Sequence, residues 1–327
     1  MALIDACDAL LLDLDGTVWS GGTPLPNAVD TIGAVGVRVM YITNNAYRGP
    51  AAAAELLNGM GISARAEDIV TSAQAAIAMA REALPAGEKI LVLGSDSFKG
   101  LARDAGFEVV ASAEEEPRAV LQGHNPETGW HELSEAALAI QGGAKYFASN
   151  LDTSLPTERG LMVGNGAMIA AVTAATGVGP TAAGKPEPAM FLQAASVAGA
   201  SRPLSVGDRL DTDIAGAVAA RIPSLHVLTG VSGPLALLEA PKEQRPAFIG
   251  EDLSALKRDA AELAPGPQGG FTARVDKDSI ILGRGSTTAT PVQALRTALE
   301  VAWHMPEPPE LVRPDSDAAE KACAGWW

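Results

Sequence analysis

Along this chain apolar residues gather into short, dense runs, and between the runs they recur at helical spacing. "ALLLDLD" (Ala9–Asp15) is an apolar run closed by two acids and reads as a buried parallel strand. "LPNAVDTIGAV" (Leu25–Val35) has helical spacing. "VRVMYIT" (Val37–Thr43), rich in β-branched and aromatic residues, reads as a second strand. "GPAAAAELLNGMG" (Gly49–Gly61) has Pro near its start and Gly at its end, and "TSAQAAIAMAREAL" (Thr71–Leu84) opens on a capping residue, so both predict helices. Strand and helix in alternation predict a parallel α/β sheet.

The alternation then restarts. "KILVLG" and "RAVLQG" read as strands with the helix "DSFKGLARDAG" between them, followed by the helix "WHELSEAALAIQGG" and the strand "KYFASN" ending at Asn150. "LDTSLPTERGLMVGNGAM" reads as a loop and "MIAAVTAATG" as a helix ending at Gly177. This series predicts a separate α/β unit over residues 85–179. The helix "AGKPEPAMFLQAASVAG", the strand, acidic loop and helix of "PLSVGDRLDTDIAGAVAARI", and the strand "PSLHVLTG" then resume the first pattern. Residues 1–84 and 180–263 are therefore expected to form one discontinuous core with 85–179 inserted. Residues 264–327 are expected to be a linker, "APGPQGG", and a small α+β extension. Its parts are a hairpin from "FTARV" and "SIILG", the amphipathic helix "PVQALRTALEVAWHM", and a Pro- and charge-rich mobile tail.

Charge narrows the partners. A net charge of −15 and a pI near 4.7 argue against nucleic acid. Any anionic substrate must be met by local positive charge or a metal. No apolar run is long enough to span a membrane, and "MALIDACD" has acids where a signal peptide needs a basic region. Cys7 and Cys323 form neither a metal spacing nor a disulfide framework. A cytoplasmic protein with no membrane partner is expected, and a homodimer stays open. His124, His131, His226 and His304 form no ligand spacing and read as ordinary helix or loop residues.

Four stretches carry candidate chemistry. Asp13 and Asp15 stand two apart at the end of a strand and so share a face, at the sheet edge where parallel α/β folds bind ligands. One carboxylate can attack while the other moves a proton. Gly16 and Thr17 turn the chain in a way that suits an anion. Thr43 and Asn44 in "YITNN" can hold a phosphate oxygen, and Lys185 in "GKPEP" can neutralise one. Asp208, Asp211 and Asp213 in "VGDRLDTDI" repel one another unless a cation or a helix start absorbs the charge, and hard oxygen donors point to Mg²⁺. Taken singly, each stretch also fits a plainer role: a solvated strand end, a helix cap, a surface lysine.

In order, "DLDGT", "TNN", "GKP" and "GDRLDTD" resemble the haloacid-dehalogenase (HAD) superfamily, closest to its NagD-type, p-nitrophenylphosphatase-like branch. The resemblance covers roughly Ala9 to Gly250. It implies a Rossmann-like parallel-sheet core and an inserted α/β cap that covers the site. It further implies that Asp13 is the nucleophile, forming an aspartyl-phosphate, and that Asp15 is the acid and base. Thr43 and Lys185 would hold phosphoryl oxygens. Mg²⁺ would be bound by Asp13, Asp208 and the carbonyl of Asp15, with Asp213 and, less directly, Asp211 in support. The implied activity is a Mg²⁺-dependent phosphatase for a small phosphorylated metabolite. Glycerol 3-phosphate leads, with phosphoglycolate, pyridoxal phosphate or a sugar or nucleotide monophosphate as alternatives. A phosphomutase or a non-catalytic metabolite-binding module is the further alternative. About 140 residues separate Thr43 from Lys185, far more than a crossover needs. In that insert Asn150, Asp152, Arg159 and Asn165 are candidates to meet the leaving group.

Overall fold

The computed structural model describes residues 1–157 and 159–326. The chain divides into two compact units: Met1–Met40 together with Ala198–Trp327, and the contiguous Tyr41–Val197.

The discontinuous unit is built on parallel strands in the order Phe248–Gly250, Ser224–Val227, Pro203–Gly207 and Ala9–Leu12. Every residue of Ala9–Leu12 and of Ser224–Val227 is buried, as expected of strands covered on both faces. Ala9 pairs with Pro203 and Leu12 with Val206. The register is pinned at the strand starts, where the Asp8 carboxylate accepts from Ser201 N and Oγ at 2.9 and 2.7 Å and from Arg202 N at 2.8 Å. These bonds, led by that from the Ser201 hydroxyl, hold the Asp8 carboxyl below its ordinary pKa. Next to Ala9–Leu12 in the strand order comes Arg38–Thr43, the strand in which the two units divide.

The C-terminal residues are more ordered than their composition suggests. Phe271–Asp276 and Ser279–Arg284 form the expected hairpin, and Leu311–Pro314 adds a parallel third strand. Helix Pro291–Ala302 starts with Thr290 and Gln293 in a capping box, and a last helix spans Asp317–Cys323. The tail read as mobile instead buries Val312, Ala319, Ala322, Cys323 and Trp326 in one cluster with Leu237, Leu238, Ile249, Leu295 and Leu299. Its apolar residues are too widely spaced among prolines and charges to show a period, yet each reaches a surface the preceding residues leave apolar.

Arg296, on the second turn of Pro291–Ala302, has no solvent exposure. Its Nε and Nη2 donate to the Ile249 carbonyl at 2.9 and 2.5 Å, and Nη1 donates to Gln268 Oε1 at 3.2 Å. Burial pushes its pKa down to about 10, so it stays charged at neutral pH. One guanidinium thus ties the extension to the edge strand Phe248–Gly250.

In the second unit Tyr41, Ile42 and Thr43 pair in parallel with Ile69, Val70 and Thr71. A separate five-stranded parallel sheet runs in the order Thr181–Ala182, Lys145–Ala148, Ala119–Gln122, Lys89–Leu93 and Glu108–Val110. Helices Trp130–Gln141 and Asn165–Thr176 bury Ala136, Ile140, Ile169 and Val172 against Leu91, Val120 and Tyr146. The residues expected as the insert, 85–179, lie inside this unit, which also takes in helices Pro50–Gly59 and Ser72–Ala83. The stretch read as a loop contains a hairpin, Ser154–Thr157 with Gly160–Val163. Pro156 within the first strand is what disguised it.

Replacing Arg296 by Met removes the guanidinium donors from the Ile249 carbonyl and Gln268 Oε1. Arg296→Met is expected to lower the unfolding free energy by about 3 kcal/mol in a urea titration. A change below about 0.5 kcal/mol would show that the guanidinium does not hold the extension in place.

Candidate active site

The acids come together at the carboxyl ends of two neighbouring strands. Asp13 directly follows Ala9–Leu12 and continues its ladder, donating N–H to the Val206 carbonyl at 2.9 Å. Asp208 directly follows Pro203–Gly207. Next comes a π-helical turn, Leu210–Ile214, in which Ile214 N–H reaches back to Arg209 O at 3.1 Å. The turn carries Asp213 back beside the strand end. One carboxylate oxygen from each of Asp13, Asp208 and Asp213 lies within 4.8 Å of the others.

Asp208 has zero exposure, and its surroundings are built to its shape. Thr17 Oγ1 donates to Oδ1 at 3.3 Å and Val231 N–H donates to Oδ2 at 2.7 Å. Two glycines supply the room. A Cβ on Gly230 would lie 1.9 Å from Asp208 Oδ2, and one on Gly16 would lie 2.5 Å from the same atom. Gly16 also has φ +92°, a conformation that side chains disfavour. The Thr229 hydroxyl donates to the Gly16 carbonyl at 2.7 Å and joins the two glycine loops. Asp213 accepts from Arg209 N–H at 3.1 Å, and Gly207 is bare because a Cβ would meet the Asp213 side chain at 2.3 Å.

The other acids divide the work. Asp15 is exposed and held apart from the cluster by the Trp19 indole, whose Nε1 donates to Oδ1 at 2.7 Å. Asp211 turns to Arg209 instead, with guanidinium bonds of 3.1 and 2.8 Å. Burial raises the Asp211 carboxyl, but the Arg209 hydrogen bond and charge outweigh it and hold the pKa below its ordinary value. The expected anion-binding turn uses its N–H groups internally: Gly16 donates to Trp19 O at 2.7 Å and Thr17 to Leu14 O at 3.3 Å. Gly16 serves the site by making space for Asp208.

Behind Asp208 lies His226, buried within a strand and not on the helix or loop expected of it. Its Nε2 donates to the Ser232 carbonyl at 2.8 Å, while Ser232 N–H donates to Asp208 O at 3.1 Å. Burial pushes the His226 pKa down to about 4, against smaller opposing effects from the Ser232 carbonyl and the Asp213 charge.

The second unit holds the remaining candidates. Thr43 is buried, and its hydroxyl oxygen accepts from Asn45 N–H at 3.1 Å. Lys185 is 5% exposed, and its Nζ donates to the Ile42 carbonyl at 3.3 Å. Asn44 and Asn150 meet here: Asn150 Nδ2 donates to the Asn44 carbonyl at 2.7 Å. Asp152 N–H donates to Asn150 Oδ1 at 3.2 Å, and Asn165 Nδ2 donates to the Asn150 carbonyl at 2.8 Å. The buried carboxamides of Asn150 and Asn165 thus hold loops of this unit, Asn150 reaching Asn44 and Asp152 and Asn165 reaching Asn150. Arg159 lies exposed in the turn of the hairpin. Trp19 and the Thr229–Ser232 loop are not among the residues expected at the site. The available signal for the loop was Thr and Gly directly after an apolar strand, the pattern that had marked Gly16 and Thr17.

The family model of the haloacid dehalogenase-like hydrolases matches residues 10–108, and a HAD-hydrolase-like model matches residues 182–256. A D-glycerol 3-phosphate phosphatase from Mycobacterium tuberculosis is 45% identical over 264 residues, 81% of this chain and 75% of that protein. The chain belongs to the haloacid dehalogenase-like hydrolases. An acid sugar phosphatase of Staphylococcus aureus is 35% identical over 229 residues, 68% of this hydrolase and 87% of that protein. Among solved structures, a glycerol phosphate phosphatase from M. tuberculosis in complex with magnesium matches at TM-score 0.95 and 38% identity, over 100% of this chain and 98% of that one. A 4-nitrophenylphosphatase from Thermotoga maritima matches at TM-score 0.73 and 27% identity, over 80% and 100%. No helix among the described residues is long and apolar enough to cross a membrane.

Hard carboxylate oxygens of Asp13, Asp208 and Asp213 gathered within 4.8 Å, with Gly16 and Gly230 leaving room for the Asp208 carboxylate, fit Mg²⁺. Gly230→Ala should displace the Asp208 carboxylate and remove most of the rise in Tm that MgCl₂ gives the wild-type hydrolase. An undiminished rise would disprove the packing argument. For His226, the folded form is deprotonated well below the ordinary value of 6.5, so its contribution is complete above pH 6.5 and is lost as pH falls toward 4. That loss is about 3 kcal/mol in total. His226→Gln should flatten the fall in stability between pH 6.5 and 4, read from urea midpoints, and a slope like that of wild type would count against it.

Proposed function

We propose that this hydrolase is a Mg²⁺-dependent phosphomonoesterase that cleaves glycerol 3-phosphate to glycerol and phosphate. One observation carries the reading: Asp13, Asp208 and Asp213 converge within 4.8 Å, while Asp15, two residues from Asp13, is held separately by Trp19. That is a division between a charged cluster for an ion and a lone carboxylate for a proton.

Asp13, Asp208 and the Asp15 carbonyl would hold Mg²⁺, with Asp213 bracing Asp208's side of the site. The ion, when bound, cancels the repulsion between carboxylate and phosphoryl oxygens and stabilises the charge of the transition state. The chain does the rest. The Asp13 carboxylate attacks phosphorus and the ester oxygen leaves, taking a proton from Asp15. Asp15, now a carboxylate, takes a proton from water as that water attacks the aspartyl-phosphate. Asp13 is regenerated and inorganic phosphate is released, so one monoester and one water give one alcohol and one phosphate. The Trp19 bond fixes the rotation of the Asp15 carboxyl through both proton transfers. Thr43 and Lys185 are the residues expected to hold phosphoryl oxygens.

The substrate choice is supported by the M. tuberculosis phosphatase, whose likeness in structure extends over the whole of this chain. Buried, unpaired thiols at Cys7 and Cys323 agree with a reducing cytoplasmic setting.

The test is phosphate release with Mg²⁺ from glycerol 3-phosphate, phosphoglycolate, pyridoxal phosphate and sugar phosphates. Glycerol 3-phosphate should give the highest kcat/KM. Asp13→Asn should abolish release, a loss of at least about 10³-fold, with an unchanged circular dichroism spectrum. Preference for another ester by orders of magnitude would move the substrate and leave the mechanism. No release from any of them would sink the enzyme reading.

A further inference from the structure

We propose that Asn44 is a positioning residue that fixes the main chain of Lys185, and with it the reach of the lysine ammonium. The inference rests on the phosphatase reading for the role of Lys185.

Both backbone polar groups of Lys185 are held by this one side chain. Asn44 Oδ1 accepts Lys185 N–H at 2.8 Å, and Asn44 Nδ2 donates to the Lys185 carbonyl at 3.1 Å. The second Nδ2 hydrogen goes to Asp152 Oδ2 at 3.2 Å. The two Nδ2 hydrogens and Oδ1 are thus engaged within the protein, and the network dictates which way the carboxamide points. The Asn44 side chain is therefore committed to partners within the protein.

Asn44 is itself anchored. Its carbonyl accepts from Asn150 Nδ2 and from Ser72 Oγ, both at 2.7 Å. Ser72 is fully buried at the start of helix Ser72–Ala83. The residue before Lys185 leaves no slack, because a Cβ on Gly184 would lie 2.5 Å from the Ser149 carbonyl and 2.7 Å from Asn44 Oδ1. Lysine has a long flexible stem, and a charge on such a stem is accurate only if its root is fixed. Here the root is held at N–H, at C=O and by the close approach of Gly184. The same carboxamide joins the chain as it enters the insert, at Asn44, to the chain as it leaves, at Lys185.

The test is a double-mutant cycle read with p-nitrophenyl phosphate and with inorganic phosphate as inhibitor. Asn44→Ala should raise the inhibition constant for phosphate and lower kcat/KM by about 10- to 100-fold. In Lys185→Ala the added Asn44→Ala should change either quantity by less than about 2-fold, because Asn44 acts through Lys185. Additive losses would overturn the inference, as would an unchanged phosphate constant in Asn44→Ala. Should that variant fold poorly, Asn44→Asp keeps an acceptor for Lys185 N–H but loses the donor to the Lys185 carbonyl and sets two carboxylates together, and Asp152→Asn beside it restores a donor–acceptor pair at residues 44 and 152. The pair should recover part of the phosphate affinity lost in Asn44→Asp alone, and no recovery at all overturns the inference. Wild-type protein that releases no phosphate overturns the phosphatase reading first, whereas active wild type with additive losses overturns only this one.

Discussion

Asp208 holds a carboxylate with no solvent exposure, and an isolated carboxylate in an apolar interior is among the most expensive groups a fold can bury. Much of the discontinuous unit is arranged to keep that charge. Thr17 and Val231 donate to it, Gly16 and Gly230 give it room, and Ser232 ties its main chain to neutral His226. The donors come from the two loops on either side of its strand. A site assembled this way needs both neighbouring strands in register before the carboxylate can be held.

The second unit solves a different difficulty, that of an insert entering and leaving at one place. Asn44 and Lys185 stand 141 residues apart and are joined by a single carboxamide. A long insert tolerated by its host needs ends that meet, since the entropy of closing a loop grows only slowly with its length. The buried Asn150 and Asn165 extend the same network toward Gln122 in the five-stranded sheet.

Much of this was legible from the order of residues, and the exceptions share a cause. Buried parallel strands announce themselves as apolar runs, and acids at their ends stand out because the cost of burial makes them rare. Thus Asp13 and Asp208 could be picked out, and their convergence is what the strand pairing Ala9–Pro203 produces. Trp19 was hidden because the sequence does not say which way an indole points, and only the fold turns its N–H toward Asp15. Asn44 stood out as a polar residue at a strand end, but the bonds of its side chain to Lys185, 141 residues away, could be seen only in the fold. Arg296 and Trp326 lay in segments whose partners, Ile249 and Leu237, belong to another part of the chain.

The pairing of Ala9–Leu12 with Pro203–Val206 also sets an order in time. Arg38–Thr43 follows soon after to cover one edge of the first strand, but at about 5–20 residues per second of synthesis its other edge waits on the order of 10–40 s for Pro203–Gly207 to leave the ribosome. The unit Tyr41–Val197 is continuous and has all its own strands before that moment. During translation the inserted unit therefore completes before its host, and the early stretch with three consecutive leucines, Leu10–Leu12, is the one that a chaperone has most reason to shield.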